Sequence, residues 1–291
     1  MKSSVLDTYR YLRGGMAVMI VLLGAAVLIE RSTATCWQTS ISAYYFTSAH
    51  GVFIGALFAL GAMLIVYKGS NDTEDVLLNL AGILAFVVAM VPTTRPVLLC
   101  GRADLNIGNQ SAIANVWAVV IALIVSRAAS WWMYHRTGTA SRRSALGTVA
   151  VRVQRVLLAI GLVTLVAAPE WFRVNAHGIA AVAMFAAIIL TVVITAFVTG
   201  SQDADKCPHR RRYQLIYQSI SAVMVLTLIA AVCLHQLLDG FNHAVIVVEA
   251  ALIGEFALYW VVQTIELWGA PTRAGLMAAG DRAGGRMLRA L

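Results

Sequence analysis

Between Arg13 and Glu30 the chain runs GGMAVMIVLLGAAVLI without one charged side chain. Wound as an α-helix at 1.5 Å per residue, that run is about 24 Å long, close to the roughly 30 Å of hydrocarbon in a bilayer. Similar runs recur, giving eight expected spans near 12–30, 46–67, 76–92, 112–132, 154–170, 177–199, 215–238 and 244–268. Those near 76–92 and 154–170 are the shortest, and a tilted or re-entrant segment would read the same way. The runs are continuous, lack period-2 alternation and exceed the length of a barrel strand, so they read as helices.

Composition agrees. The chain is 60% hydrophobic and only 12% charged, against about 25% charged in soluble domains. The expected fold class is an all-α integral membrane protein, a bundle of about eight transmembrane helices. Residues 1–291 form one polytopic domain, with 269–291 as a short basic cytoplasmic tail. No internal repeat, soluble domain or long low-complexity tract interrupts it.

Charge sets the threading, because Lys and Arg are retained on the cytoplasmic side of short loops. With the N-terminus inside, all but Arg31, Arg95, Arg102 and Arg173 of the 22 basic residues fall on the cytoplasmic side, and both termini are cytoplasmic. The expected location is the plasma (inner) membrane, multi-pass. A signal peptide is the competing reading of the first span, but no small-residue cleavage pattern precedes Arg31, so it is read as a retained helix. The net charge of +8 then reflects topology and anionic headgroups. No nucleic acid is expected as a partner, since no aromatic residues interleave with a basic stripe. Membrane lipids are expected, together with a membrane-protein partner or a homo-oligomer. WWMYH, 131 to 135, fits an interfacial aromatic belt.

The same threading puts Cys36 and Cys100 in outer loops, where an oxidising compartment permits a disulfide if their Cα atoms approach within about 7 Å. No CxxC pair occurs, and no metal or cofactor is expected from the cysteines. Polar side chains also gather at that end: Ser42, Tyr44 and Tyr45 ahead of the second helix, His50 inside it, and Glu170 and Arg173 nearby. Four of the six histidines, His50, His177, His235 and His243, belong there. With Asp239 they are the candidate catalytic or metal-ligating set, since imidazole is both a metal ligand and a base near neutral pH. The competing reading of HQLLDGFNH, 235 to 243, is a helix stop and turn at Asp239–Gly240.

Within the last span, Glu249, Glu255, Gln263 and Glu266 interrupt an apolar run. A carboxyl deep in a bilayer is a functional-site hypothesis by default. Glu255, Tyr259, Gln263 and Glu266 fall in an arc of about 80°, a face expected to point into the bundle, with Asn79, Asn115 and Gln218 as candidate partners. Glu249 lies about 120° away, toward the outer polar group. Gly51 and Gly55 form GxxxG, expected to permit a close helix crossing.

SISAYYFTSAHGVFIGALFALGAMLIVYKG, 40 to 69, followed by NLAGILAFVVAMVPT, 79 to 93, resembles a family of uncharacterised bacterial multi-pass membrane proteins. The shared pattern runs through Ser40, Ser42, Tyr44, Tyr45, Thr47, Phe53, Gly55, Tyr67, Lys68, Gly69, Asn79, Leu80, Ala81 and Gly82. His50-Gly51 stands where the family pattern has Arg-Asp. HGIAAVAMF, 177 to 185, adds a weaker likeness. The resemblance implies a polytopic membrane fold and no particular activity. A remoter likeness, to intramembrane hydrolases of the alkaline ceramidase type, rests on Ser, Asp and His near one face. It departs from them in spacing His235 and His243 eight apart.

Three functional readings follow. One is a transporter-like or lipid- or small-molecule-binding bundle whose outward polar cavity is formed by Ser42, Tyr44, Tyr45, His50, His177, Glu249 and Glu255. Another is an intramembrane hydrolase using the outer histidines with Asp239. The third is a structural or accessory subunit of a membrane complex.

Overall fold

The computed structural model describes residues 2–96, 100, 110–138, 143–203, 207, 209–237 and 243–278. Among these there is no strand; the elements are α1 (Lys2–Thr33), a short 3₁₀ helix (Ser42–Phe46), α2 (His50–Val66), α3 (Asp72–Met90), α4 (Gln110–Thr137), α5 (Ala145–Ala167), α6 (Pro169–Gly200), α7 (Arg210–Leu237) and α8 (Ala244–Glu266). All the α-helices but α2 are long and apolar enough to cross a bilayer. At 17 residues α2 sits at the lower limit for a span. The protein is therefore an all-helical, multi-pass membrane protein.

Several helices begin earlier than their apolar runs because side chains cap them. The Asn71 side chain accepts the Thr73 and Glu74 amides, so α3 starts at Asp72. The acidic DTED turn lies in its first turn, where carboxylates complement the helix dipole. Ser144 accepts the Gly147 amide at 3.0 Å and starts α5, carrying Arg152 and Arg155 into the helix. Ser144 is itself held by Asp72 of α3, at 2.6 Å to its amide and 2.8 Å to its hydroxyl. Between α5 and α6 only Ala168 intervenes, and Pro169 at the first helical position suits an amide that needs no partner.

Neighbouring helices α1, α2, α3, α6, α7 and α8 close into a ring, with α4 and α5 packed outside it against α3 and α6. Met16, Leu64, Leu78, Val192, Met224 and Trp260 are among the buried side chains that fill the ring. The close crossing is between α2 and α3. A Cβ at Gly61 would lie 2.8 Å from the Gly82 carbonyl, and one at Gly82 2.5 Å from the Gly61 carbonyl. Gly51 and Gly55, expected to form such a contact, have open space beside them instead. They sit on exposed positions of α2, so the GxxxG spacing marks no crossing among the described residues.

The described part of the expected basic tail, 269–278, packs back on the bundle, with Ala270 and Arg273 buried. Arg10 Nε donates to the Trp268 carbonyl at 2.9 Å, and Arg13 donates to the carbonyls of Leu267, Ala270 and Pro271 at 3.0, 3.2 and 2.6 Å. The start of α1 and the end of α8 are thereby tied together at one end of the bundle. Residues 279–291, including Arg282, Arg286 and Arg289, lie outside the described residues.

Candidate functional site

The connection 34–49 folds over the other end of the ring as a cap. Ser40 Oγ accepts the Ala43 amide at 3.0 Å and starts the 3₁₀ helix. Thr47 closes it, donating to the Tyr44 carbonyl at 2.9 Å while accepting the Ala49 amide at 3.2 Å, which launches α2. Several ties pin the cap. Cys36 is disulfide-bonded to Cys100 with Cα atoms 5.1 Å apart, and the Thr35 amide donates to the Cys100 carbonyl at 3.1 Å. Ile246 N donates to the Thr39 carbonyl at 3.0 Å, and Ser48 donates to Glu30 of α1.

Beneath the cap, between α1, α2, α3, α6 and α8, lies a cavity of about 70 Å³. Its wall is apolar: Leu23, Phe53, Leu57, Ala85, Met184, Ile253 and Phe256 are among the lining residues, and Ser42 and Glu249 are the polar ones. The Glu249 carboxylate reaches the cap by accepting the Ile41 amide at 2.6 Å. Apolar cavities stay dry, and one of about 150 Å³ takes a benzene ring. Half that volume admits a chain end or small branch, not a hydrated solute.

Of the expected cavity residues, the structure brings only Ser42 and Glu249 to this space. Tyr44 and Tyr45 are buried in the cap, where burial pushes both phenols above the usual tyrosine range. His50 Nδ1 donates to the Tyr45 carbonyl at 2.6 Å, with its ring 4.4 Å from the Tyr45 ring. His177 lies two turns inside α6, not at its start, and donates through Nδ1 to the Val91 carbonyl at 2.6 Å. His243 Nε2 donates to the Trp37 carbonyl at 3.1 Å. These three imidazoles thus sit on three different carbonyls, and no group of three or more His, Cys, Asp or Glu is placed to hold a metal among the described residues. The His235 side chain and Asp239 lie outside the described residues, as does the Gly240 turn.

Glu255 stands half-buried between α7 and α8, away from the cavity. Its Oε1 accepts from Thr227 at 2.8 Å, and Oε2 is buried without a partner. Its partner is Thr227 and none of the expected ones; Asn79 donates instead to the Asp75 carbonyl of its own helix.

The rest of that α8 face enters a buried polar network at the bundle's opposite end, and most of its members carried no expectation. Arg273, after α8, is 1% exposed. Its Nε and Nη2 fork onto Glu266 at 3.2 and 2.7 Å, and its Nη1 lies 3.6 Å from Glu74 of α3. Burial alone would push this guanidinium down, but the carboxylates of Glu266 and Glu74 more than reverse it and raise its pKa. Tyr217 donates to Glu266 at 2.7 Å, and Thr195 donates to Glu74 at 3.1 Å. Thr195 is 3.2 Å from the Tyr259 hydroxyl, which accepts from Gln263 Nε2 at 2.9 Å. Tyr67 donates to Gln263 Oε1 at 3.2 Å and accepts from Arg13 Nε at 3.2 Å.

Two arginines and two carboxylates therefore balance, with groups from α1, α3, α6, α7 and α8 and from Tyr67, which caps the end of α2. A buried charge is tolerated when paired or fully hydrogen-bonded; Arg273, Glu266 and Glu74 are paired, and Arg13 is held by Tyr67 and three carbonyls. The arrangement fastens helix ends. Its sequence signal was a carboxylate and an arginine flanking apolar runs, Glu74 and Arg273, which charge sorting alone reads as loop residues.

No protein-family model, curated protein or solved structure matches this chain.

Proposed function

We propose that this multi-pass protein lies in the plasma membrane with the Arg13–Arg273 end facing the cytoplasm, and that it binds a lipid-like amphiphile by its apolar chain. The threading is supported by the basic side chains that sort to one end and by the Cys36–Cys100 disulfide at the other, since thiols pair on the oxidising side. With α2 counted as a short span, the chain crosses eight times.

One observation carries the binding reading: an apolar cavity inside the helix ring that ends in Ser42 and Glu249. A transported polar solute would need polar groups along the wall, because each unsatisfied polar group in a dry site costs about 1–3 kcal/mol. The wall instead suits methylene groups, each contributing about 0.8 kcal/mol on burial.

Purified protein should carry an amphiphile through detergent exchange, detected by native mass spectrometry. Ala181, half-buried on the cavity wall, is the place to fill the space, and Ala181→Phe should release the bound species while the protein stays monodisperse. An unliganded wild type, or undiminished binding by Ala181→Phe, would remove the reading.

A further inference from the structure

We infer that the cap holds a headgroup site, formed by Glu30, Arg31, Gln38 and Tyr44, for a phosphate ester bearing a primary ammonium. The inference rests on the proposed function, because it supplies the polar end of the same amphiphile.

Three buried polar groups are left unmatched here: Arg31 Nε, Gln38 Oε1 and the Tyr44 hydroxyl, whose oxygen the Gln38 amide approaches while its hydrogen meets no acceptor. Gln38 and Tyr44 are each 1% exposed, so bulk water does not serve them, and an unmet buried polar group costs about 1–3 kcal/mol. They belong to one cluster. Arg31 stacks over Trp37, its guanidinium carbon 5.4 Å from the ring centre, and Trp37 precedes Gln38. The Tyr44 hydroxyl faces the Gln38 backbone and lies within electrostatic reach of both Arg31 and Glu30. Glu30 is 5% exposed, accepts from Ser48, and joins no ion pair among the described residues.

Donor and acceptor types define the ligand. Arg31 Nε and the Tyr44 hydroxyl offer hydrogens to an anion, and a guanidinium is well suited to phosphate oxygens. Gln38 Oε1 and the Glu30 carboxylate accept, which calls for an N–H donor of positive charge. A zwitterion neutralises both Glu30 and Arg31. A primary ammonium meets the two acceptors, whereas a quaternary ammonium has no hydrogen to give. Such a group occurs on phosphatidylethanolamine and on free O-phosphoethanolamine. The 3₁₀ helix bearing Tyr44 also carries Ser42, on the wall of the apolar cavity, so head and chain sites share one element.

The full-length protein would be purified and offered phosphatidylethanolamine, phosphatidylglycerol or phosphatidylcholine in bilayer nanodiscs of defined composition, with occupancy read by native mass spectrometry. Retention of phosphatidylethanolamine over the other two is expected. Tyr44→Phe, and Arg31→Lys, which keeps the charge but removes Nε, should each lower that occupancy about tenfold or more, the worth of a charge-assisted hydrogen bond. Equal retention of the three lipids, unchanged in both variants but lost in Ala181→Phe, would overturn the headgroup site and leave chain binding standing. Loss of binding confined to the head variants, with free O-phosphoethanolamine competing fully and Ala181→Phe binding normally, would uphold the site for a soluble ester and overturn the chain-binding reading instead.

Discussion

Arg273 and Glu266 meet through two parallel hydrogen bonds, at 3.2 and 2.7 Å, with both side chains almost wholly buried. Because Glu74 shares the guanidinium, removing the arginine strands two carboxylates. Arg273→Met is expected to destabilise the protein by about 3–5 kcal/mol, the usual penalty for breaking a buried pair from one side. Replacing all three charges by Arg273→Met, Glu266→Gln and Glu74→Gln together should recover much of that loss. Thermal unfolding in a single detergent, followed by size-exclusion chromatography, would check both.

The α2–α3 crossing depends on two glycines whose backbones face each other. Gly61→Ala and Gly82→Ala should each cost about 1–3 kcal/mol through overpacking, since the added methyl meets a carbonyl that cannot rotate away. Gly51→Ala and Gly55→Ala, in open space, should leave the same melting measurement unchanged. If the second pair also destabilised the protein, the assigned crossing would be wrong.

Apolar length made the helices legible, but charge obscured their ends. The runs expected near 76–92 and 154–170 became α3 and α5 with starts at Asp72 and Ala145. The first turn of α3 carries Glu74 and Asp75, and α5 carries Arg152 two turns in, charges that hydropathy assigns to loops although Asn71 and Ser144 cap both segments as helix. Similarly, Arg13 and Arg273 read as cytoplasmic markers, and sorting by side says nothing of burial. Ser42 and Glu249 were visible as polar groups in apolar surroundings. Their meeting depended on the cap folding back onto α8, a contact between residues about two hundred positions apart that periodicity does not encode. The histidines shared a depth in the sequence reading, and depth fixes neither azimuth nor partner.

The disulfide closes a long loop around the cap. In the chain-entropy picture a link between residues 64 apart contributes about 4 kcal/mol at most, less where helices already held in a bilayer limit the unfolded chain. Cys36→Ser and Cys100→Ser should lower the melting temperature equally, and the double variant no further. Reductant should shift wild type to the same value and leave the variants unmoved.

Cys207 is buried beside Glu266 and Asp203. Burial first, then those two carboxylates, push its thiol above the ordinary range, partly offset by Arg210. A raised thiol pKa keeps the neutral form in the folded protein. The stability tied to it is full below the pKa of the unfolded thiol and is lost as pH rises through the folded value. Alkylation of Cys207 at neutral pH should therefore be slower in native than in unfolded protein, and should accelerate above the pH at which a free thiol ionises. Equal rates in the two states, by peptide mass spectrometry, would contradict its burial.

An outward-facing cap requires the Arg13–Arg273 end of the bundle to face the cytoplasm. Arg143 and Glu170 are both exposed and lie at opposite ends of α5. With Cys207 and Cys233 changed to serine, Arg143→Cys and Glu170→Cys would be exposed separately to a membrane-impermeant maleimide on intact cells. Labelling at 170 in intact cells, and at 143 only after lysis, is expected; labelling at 143 from outside would contradict the threading and, with it, the outward-facing cap.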